Sequence, residues 1–160
     1  MNTKNIKNIL KDTKGLTLIE LVAAIAILAI IITPLTMMTV HGISAYYHEQ
    51  EKIELMETGQ FALFKISKQI RLSNSNVSNP SDYEILINET APYKYKFDDS
   101  SKMLKEYIND LPADGNPIAE NIKTFKAVIS EKLLTIDLQL EGPKYGETVD
   151  LKTSIYLRNQ

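Results

Sequence analysis

The chain has 160 residues, of which 44% are hydrophobic, and it carries a formal net charge of −2 and no cysteine. This length allows one modest domain and an extra element, and the lack of cysteine excludes a disulfide framework and a thiolate metal site. The first 15 residues carry a net charge of +3 and the remainder −5, so the sequence gives no reason to expect direct nucleic-acid binding.

The N-terminal region combines a basic stretch with a long apolar run. The basic stretch ends at Gly15, and its charged residues are Lys4, Lys7, Lys11, Asp12 and Lys14. An unbroken apolar run from Leu21 to Ile32 follows, and the carboxylate of Glu20 stands directly before it. The segment Leu16–Val40 is long enough to cross a bilayer of about 30 Å as a helix.

Two general interpretations are open for this region. A secretory signal peptide has a similar basic start, but its apolar run is shorter and ends in a small-residue cleavage site, which is missing here. An ordinary signal anchor fits the length, because the apolar side chains outweigh the insertion cost of one carboxylate. The lysines then predict that the N-terminus stays in the cytoplasm and that the C-terminal part lies outside. Neither interpretation gives Gly15 or Glu20 a purpose.

A third interpretation comes from the residues KGLTLIELV, Lys14 to Val22, which resemble the processing site of type IV pilin and pseudopilin precursors. In that family a short basic leader ends in Gly, and Glu occupies the fifth mature position, as Gly15 and Glu20 do here. The resemblance implies that a prepilin peptidase cleaves after Gly15 and N-methylates Leu16, where the family usually has Phe or Met. It also implies storage in the cytoplasmic membrane and assembly, through a pilus assembly platform, into a surface filament.

Glu20 and Pro34 are the unusual residues of the apolar segment. Helical side chains lean toward the N-terminus, so the Glu20 carboxylate can reach the unpaired N–H groups of the first turn or the amine of a neighbouring subunit. Since a carboxylate in apolar surroundings is costly until paired, we predict that Glu20 sets the axial register during assembly. The alternative is that Glu20 only reaches lipid headgroups. Pro34 removes a backbone donor and predicts a helix kink.

From residue 41 the pattern becomes amphipathic, which predicts one helix from Leu16 to about Leu72. Charged residues such as Glu51 fall mostly on other faces than the apolar stripe, and Gly59 is a weak point that costs about 1 kcal/mol against Ala. The stripe consists of Ile53, Met56, Leu63, Ile66 and Ile70. The predicted organisation is a leader at 1–15, a transmembrane and assembly half at 16–40, an amphipathic half at 41–72 and a globular β-rich domain at 73–160.

Beyond the helix, apolar residues recur at every second position. This predicts an α+β fold in which the long N-terminal helix packs on a C-terminal antiparallel β-sheet, as in pilins. Residues 73–80 and 110–117 are predicted as a turn and a loop, and residues 141–147 as a hairpin connection. The predicted strands are 83–87, 93–97, 103–107, 122–129, 133–140 and 149–157.

Two further stretches resemble a subgroup of the family. Residues 59–76, GQFALFKISKQIRLSNSN, are similar to the helix end of W-type minor pilins and J-type minor pseudopilins, and residues 153–159, TSIYLRN, are similar to their last strand. The resemblance implies a minor structural subunit with other pilin subunits as partners, no cofactor and no catalysis. The alternatives are a pseudopilin of a type II secretion or competence DNA-uptake system and, more distantly, a plain signal-anchored extracytoplasmic protein or enzyme.

The remaining polar residues form no catalytic motif in the sequence. His41 and His48 lie about two helical turns apart, and with Tyr46 and Tyr47 they are predicted at the membrane interface rather than in a metal site. Residues 114–116, DGN, suggest a calcium loop, but the later acidic ligand of the EF-hand spacing is missing. There is no Gly-rich phosphate loop and no nucleophile elbow.

Overall fold

The structure of the protein is a computed structural model that describes residues 17–73, 76–88 and 92–158. Helix α1, Leu18–Leu72, has 55 residues, which confirms the predicted single helix and its C-terminal end. Contacts within the chain divide it into two units, residues 1–45 and 46–160. The first unit contains the N-terminal part of α1, and the second contains the rest of α1 and every described strand.

The described residues of the second unit form eight strands in two antiparallel sheets. This confirms the α+β class, although the single sheet expected from the sequence is divided into two. The five-stranded sheet has the order β1-β2-β3-β4-β5, and the three-stranded sheet has the order β6-β7-β8. The strands are β1 Val77–Ser81, β2 Glu84–Ile87, β3 Tyr93–Asp98, β4 Met103–Ile108, β5 Leu111–Ala119, β6 Ile122–Ser130, β7 Leu133–Glu141 and β8 Thr148–Tyr156.

Two of these strands lie in stretches predicted as a turn and a loop, so those two predictions were wrong. Strand β1 contains Pro80, and strand β5 contains Pro112, Pro117 and Gly115, which has a positive φ of 69°. Both strands lie at the edges of the five-stranded sheet. An edge strand needs only one row of ladder hydrogen bonds, so it tolerates proline. The six strands that the sequence predicted all form, with small shifts at their ends.

The buried face of α1 also differs from the predicted stripe. Leu63, Ile66 and Ile70 are buried as expected, whereas Ile53 and Met56 are 42% and 38% exposed. The buried face continues instead through small and acidic residues as well as a leucine: Glu51, Leu55, Gly59 and Ala62. A pattern based on large apolar residues misses such a face, because a helix that packs closely on a sheet needs small side chains at the point of contact.

At Gly59 helix α1 makes a close contact with the three-stranded sheet. A Cβ atom at this position would overlap the side chain of Leu151 and would lie 2.8 Å from Cδ1 of Leu140. The residue that the sequence marks as a weak point of the helix is therefore required by the packing.

The substitution Gly59→Ala tests this close approach. Alanine would gain about 1 kcal/mol of helix propensity, but overpacking a filled contact costs about 1–3 kcal/mol. We expect a net loss of about 1 kcal/mol in the free energy of unfolding of the full chain in detergent micelles. Gly42→Ala is the matched control, since a Cβ there meets no atom within 4 Å. Equal stability of the two variants would show that the sheet does not require glycine at position 59.

A buried polar network joins α1 to the five-stranded sheet. Nζ of Lys65 donates to Oε2 of Glu106 at 2.6 Å, and the hydroxyl of Tyr95 donates to Oε1 of Glu106 at 3.0 Å. Glu106 is only 5% exposed, so in this poorly hydrated place Lys65 balances its charge and the Tyr95 hydroxyl satisfies its second oxygen. Burial, with the nearby Glu106 carboxylate, raises the pKa of Tyr95 far above its usual range, which keeps its hydroxyl a donor.

Candidate functional site

Helix α1 begins with a capping box formed by Thr17 and Glu20. The backbone N–H and the hydroxyl of Thr17 each donate to Oε2 of Glu20 at 2.9 Å, and the N–H of Glu20 donates to Oγ1 of Thr17 at 3.3 Å. This reciprocal arrangement satisfies donors that a helix start otherwise leaves unpaired. The role of Thr17 was not predicted, although the T-x-x-E spacing before an apolar run is a recognised signal for a capping box.

The capping box fixes the direction of the Glu20 side chain. Its carboxylate reaches back over the first turn, where the positive end of the helix dipole favours a negative charge. Both Thr17 donors use Oε2, and within the part of the chain that the structure describes Oε1 accepts no hydrogen bond. One oxygen of Glu20 is therefore held in place by its own chain, and the other is available to a further donor.

Gly15 and Leu16, the predicted positions of cleavage and N-methylation, lie outside the described residues. Thr17 follows them directly in the sequence. A cut after Gly15 would therefore leave a new amine only one residue before the capping box. The processing site and the Glu20 carboxylate are thus close together along the chain.

The first unit has an apolar surface on every side of its helix. All side chains from Leu18 to Ala45 are exposed. By length and composition, α1 contains a segment apolar enough to cross a membrane. A helix that is hydrophobic all round needs lipid or other apolar helices around it. This surface therefore supports membrane anchoring.

Pro34 lies inside this segment, and α1 continues through it. Proline lacks a backbone donor, and neighbouring hydroxyls in membrane helices help to satisfy carbonyl groups near such positions. Three threonine hydroxyls donate to carbonyls three or four residues earlier, at distances of 2.8–2.9 Å: Thr33, Thr36 and Thr39. Such bonds tend to bend helices. The kink at Pro34 stays a prediction, and these contacts favour it.

The second unit holds another carboxylate, Glu51, whose buried position was not predicted from the sequence. Glu51 is 8% exposed and lies on the buried face of α1. It accepts backbone N–H groups of the β7–β8 loop: Lys144 to Oε1 at 2.9 Å, and Tyr145 and Glu147 to Oε2 at 3.0 and 3.4 Å. Burial alone would raise the pKa of Glu51, but these backbone donors outweigh it and hold the pKa below its ordinary value.

The loop can reach Glu51 because it passes the carboxylate at a glycine. A Cβ at Gly142 would overlap the side chain of Glu51, so a larger residue would displace either the loop or the carboxylate. The sequence contains two hints of this contact. Position 51 is four residues before buried Leu55 on the same helix face, and the loop GPKYGE is rich in glycine and therefore offers accessible N–H groups.

His48 lies beside the same loop. Its Nδ1 is 2.9 Å from Oε1 of Glu147, and its ring centroid is 4.6 Å from that of Tyr145. His48 is thus a partner of the loop, while the predicted interfacial position of His41, Tyr46 and Tyr47 stays a prediction. Among the described residues, no group of three or more His, Cys, Asp or Glu side chains is placed to hold a metal ion.

A capped and exposed apolar helix that continues into an α+β unit is the architecture of a protein anchored through its N-terminal helix. Residues 10–36 match the family model of the prokaryotic N-terminal methylation motif. The matched segment includes Gly15, Leu16, Glu20 and Pro34, and it supports a type IV pilin-like family. No match to the chain was found among curated proteins or among solved structures.

Proposed function

We propose that this chain is a structural, minor subunit of a type IV pilus or a related filament. The observation that carries the proposal is the methylation motif at residues 10–36. The exposed apolar helix and the α+β unit support it, because such a helix needs lipid before assembly and other helices after it. The minor role rests on the resemblance of residues 59–76 and 153–159 to minor subunits.

In this proposal the cytoplasmic membrane stores the subunit. The basic leader keeps the N-terminus in the cytoplasm, and residues 46–160 lie outside. Prepilin peptidase cuts after Gly15 and methylates Leu16. The cut creates an α-amine with an ordinary pKa of about 7.7–8.0, which is largely cationic at neutral pH, and methylation keeps this charge.

Assembly then pairs this amine with Glu20 of a neighbouring subunit. Oε1 of Glu20 has no partner within the described part of its own chain, and the capping box already aims the carboxylate at the helix start. An ion pair in apolar surroundings forms only in good geometry, so it favours one axial register. A bend at Pro34 would let the helices adjust their packing. The partners are other pilin subunits and the assembly platform, and the chain itself needs neither catalysis nor a cofactor.

The first test is the chemical state of the mature N-terminus. In cells with an active prepilin peptidase, we expect mass spectrometry to find a chain that begins at Leu16 and carries one additional methyl group on its amine. In cells without the peptidase, the chain should keep residues 1–15. A Gly15→Val variant should remain uncut in both strains. The bulky β-branched side chain of valine would replace the glycine that the proposed cleavage site has directly before the cleaved bond.

An intact, unmethylated N-terminus in cells with active peptidase would contradict the proposed processing and would favour a plain signal anchor. The apolar helix would still hold the protein in the membrane, so the Gly15→Val variant and the unchanged chain would then fractionate alike and have matching N-termini.

A further inference from the structure

An aromatic patch lies at the beginning of the second unit. We define it as Tyr46, Tyr47 and His48 of α1 together with Lys144 and Tyr145 of the β7–β8 loop. The rings of Tyr47 and Tyr145 are stacked with their centroids 6.4 Å apart, and Tyr46 meets Tyr47 edge-on at 5.8 Å. Tyr46, Tyr47 and Tyr145 remain 64%, 51% and 42% exposed. Residues almost a hundred positions apart thus form one exposed aromatic surface.

Residues of α1 hold the loop half of the patch in place. Glu51 accepts three backbone N–H groups of the loop, and His48 contacts both Tyr145 and Glu147. The Glu51 contacts use the loop backbone and His48 packs against the Tyr145 ring, which stays 42% exposed. The ring is therefore held in a fixed position before any partner binds. This lowers the entropic cost of ordering the ring during binding.

The position of the patch along the chain points to its partner. Glu20 is the last charged residue before the apolar run, and about 20 helical residues from Leu21 reach Val40, enough for a hydrocarbon core of about 30 Å. The headgroup layer of roughly 5–8 Å spans the next three to five residues of a helix. The chain therefore brings Tyr46 to the outer limit of this layer.

We propose that the aromatic patch binds the phospholipid headgroup layer and that the β7–β8 loop is a second membrane contact of the subunit. Tyrosine suits this layer because its ring is apolar and its hydroxyl is polar. Lys144 adds a cation for lipid phosphate. The inference rests on the proposed storage in a membrane. It adds that the second unit touches lipid through residues far from the apolar segment in sequence.

The opposite end of the second unit supplies a reference position. Tyr156, 68% exposed, lines a small cavity with Ile70 and Arg71 at the C-terminal end of α1. Strand β8 runs from Thr148 to Tyr156, and its eight steps cover about 27 Å at about 3.4 Å per residue. Tyr156 is therefore an exposed tyrosine that is well separated from the aromatic patch.

The chain contains no tryptophan, so single substitutions can report on lipid contact. The full chain would be reconstituted in phosphatidylcholine and phosphatidylglycerol vesicles with bromine on the acyl chains near the headgroup or near the bilayer centre. The variants are Tyr145→Trp for the loop, Tyr47→Trp for the helix half of the patch, Leu28→Trp for the apolar segment and Tyr156→Trp for the reference. Tyr47→Trp reports on the helix half of the patch while the loop sequence is unchanged.

We expect the tryptophan emission of Tyr145→Trp and Tyr47→Trp to be quenched by bromine near the headgroup and to shift to shorter wavelength. Leu28→Trp should be quenched most by bromine near the bilayer centre, and Tyr156→Trp by neither lipid. Loss of quenching in Tyr145→Trp alone, or equal quenching of Tyr156→Trp, would overturn the inference while anchoring stands. An unquenched Leu28→Trp would instead overturn membrane storage itself. Shielding of Tyr145→Trp that appears only at high protein density would assign the patch to contacts between copies and also overturn it.

Discussion

The substitution Glu20→Val is expected to lower the incorporation of the subunit into filaments by at least about tenfold, because it leaves the amine of a neighbouring subunit unpaired in apolar surroundings. Valine inserts into lipid more readily than glutamate, so the amount of protein in the membrane should stay equal or rise. The loss would therefore concern assembly alone. The measurement is the ratio of the variant in sheared filaments to the variant in membranes, by quantitative immunoblotting.

Two further variants separate the charge of Glu20 from its contact with Thr17. Glu20→Gln keeps an acceptor for the capping box but removes the charge, so it should assemble almost as poorly as Glu20→Val. Thr17→Val removes the hydroxyl that binds Oε2 but keeps the charge, so it should assemble far better than either. Normal incorporation of Glu20→Val, with processing after Gly15 intact, would show that the carboxylate does not set the register.

The processing motif and the long N-terminal helix could be predicted from sequence because their signals are local. A basic leader, Gly15, Glu20 and an apolar run follow one another without interruption, and each depends only on its neighbours in the chain. The same is true of most strands, since alternation of apolar residues over five to nine positions is a local signal. The capping box at Thr17 could also have been predicted, because its T-x-x-E spacing is visible in the sequence itself.

Apart from the capping box, the features that sequence reasoning missed depend on partners distant in the chain. Gly59 is required only because Leu140 and Leu151 lie against it. Strand β5 exists because β4 supplies its ladder, which turn residues such as Pro112 do not reveal. Periodicity also placed Glu51 among the charged residues on faces away from the apolar stripe, whereas a loop more than ninety positions away buries it. In each case a tertiary contact decided against the local preference.

Loss of the contact between Glu51 and the β7–β8 loop is expected to have a large effect on stability. Glu51→Ala should lower the melting temperature of the second unit by roughly 5–10 °C, because three backbone N–H groups of the β7–β8 loop would lose their acceptor. Glu51→Gln should lower it by nearly as much, since the amide has one acceptor oxygen and places donors against donors. Glu54→Gln is the matched control, because Glu54 is exposed and, among the described residues, its carboxylate accepts a hydrogen bond from the side chain of Gln50 alone, at 3.4 Å.

The pH dependence distinguishes this contact from simple packing. The pKa of Glu51 is depressed in the folded protein, so its contribution to stability is complete above the ordinary glutamate pKa of about 4.3 and is lost as pH falls through the folded pKa. The unchanged chain should therefore be more stable than Glu51→Gln at neutral pH, and the difference should shrink in acid. Asp98, whose pKa Lys105 and two serine hydroxyls also hold low, titrates in both proteins and cancels from the comparison. Melting curves followed by circular dichroism across this range would measure the difference, and a gap that stays constant from neutral pH into acid would show that the charge of Glu51 does not hold the loop.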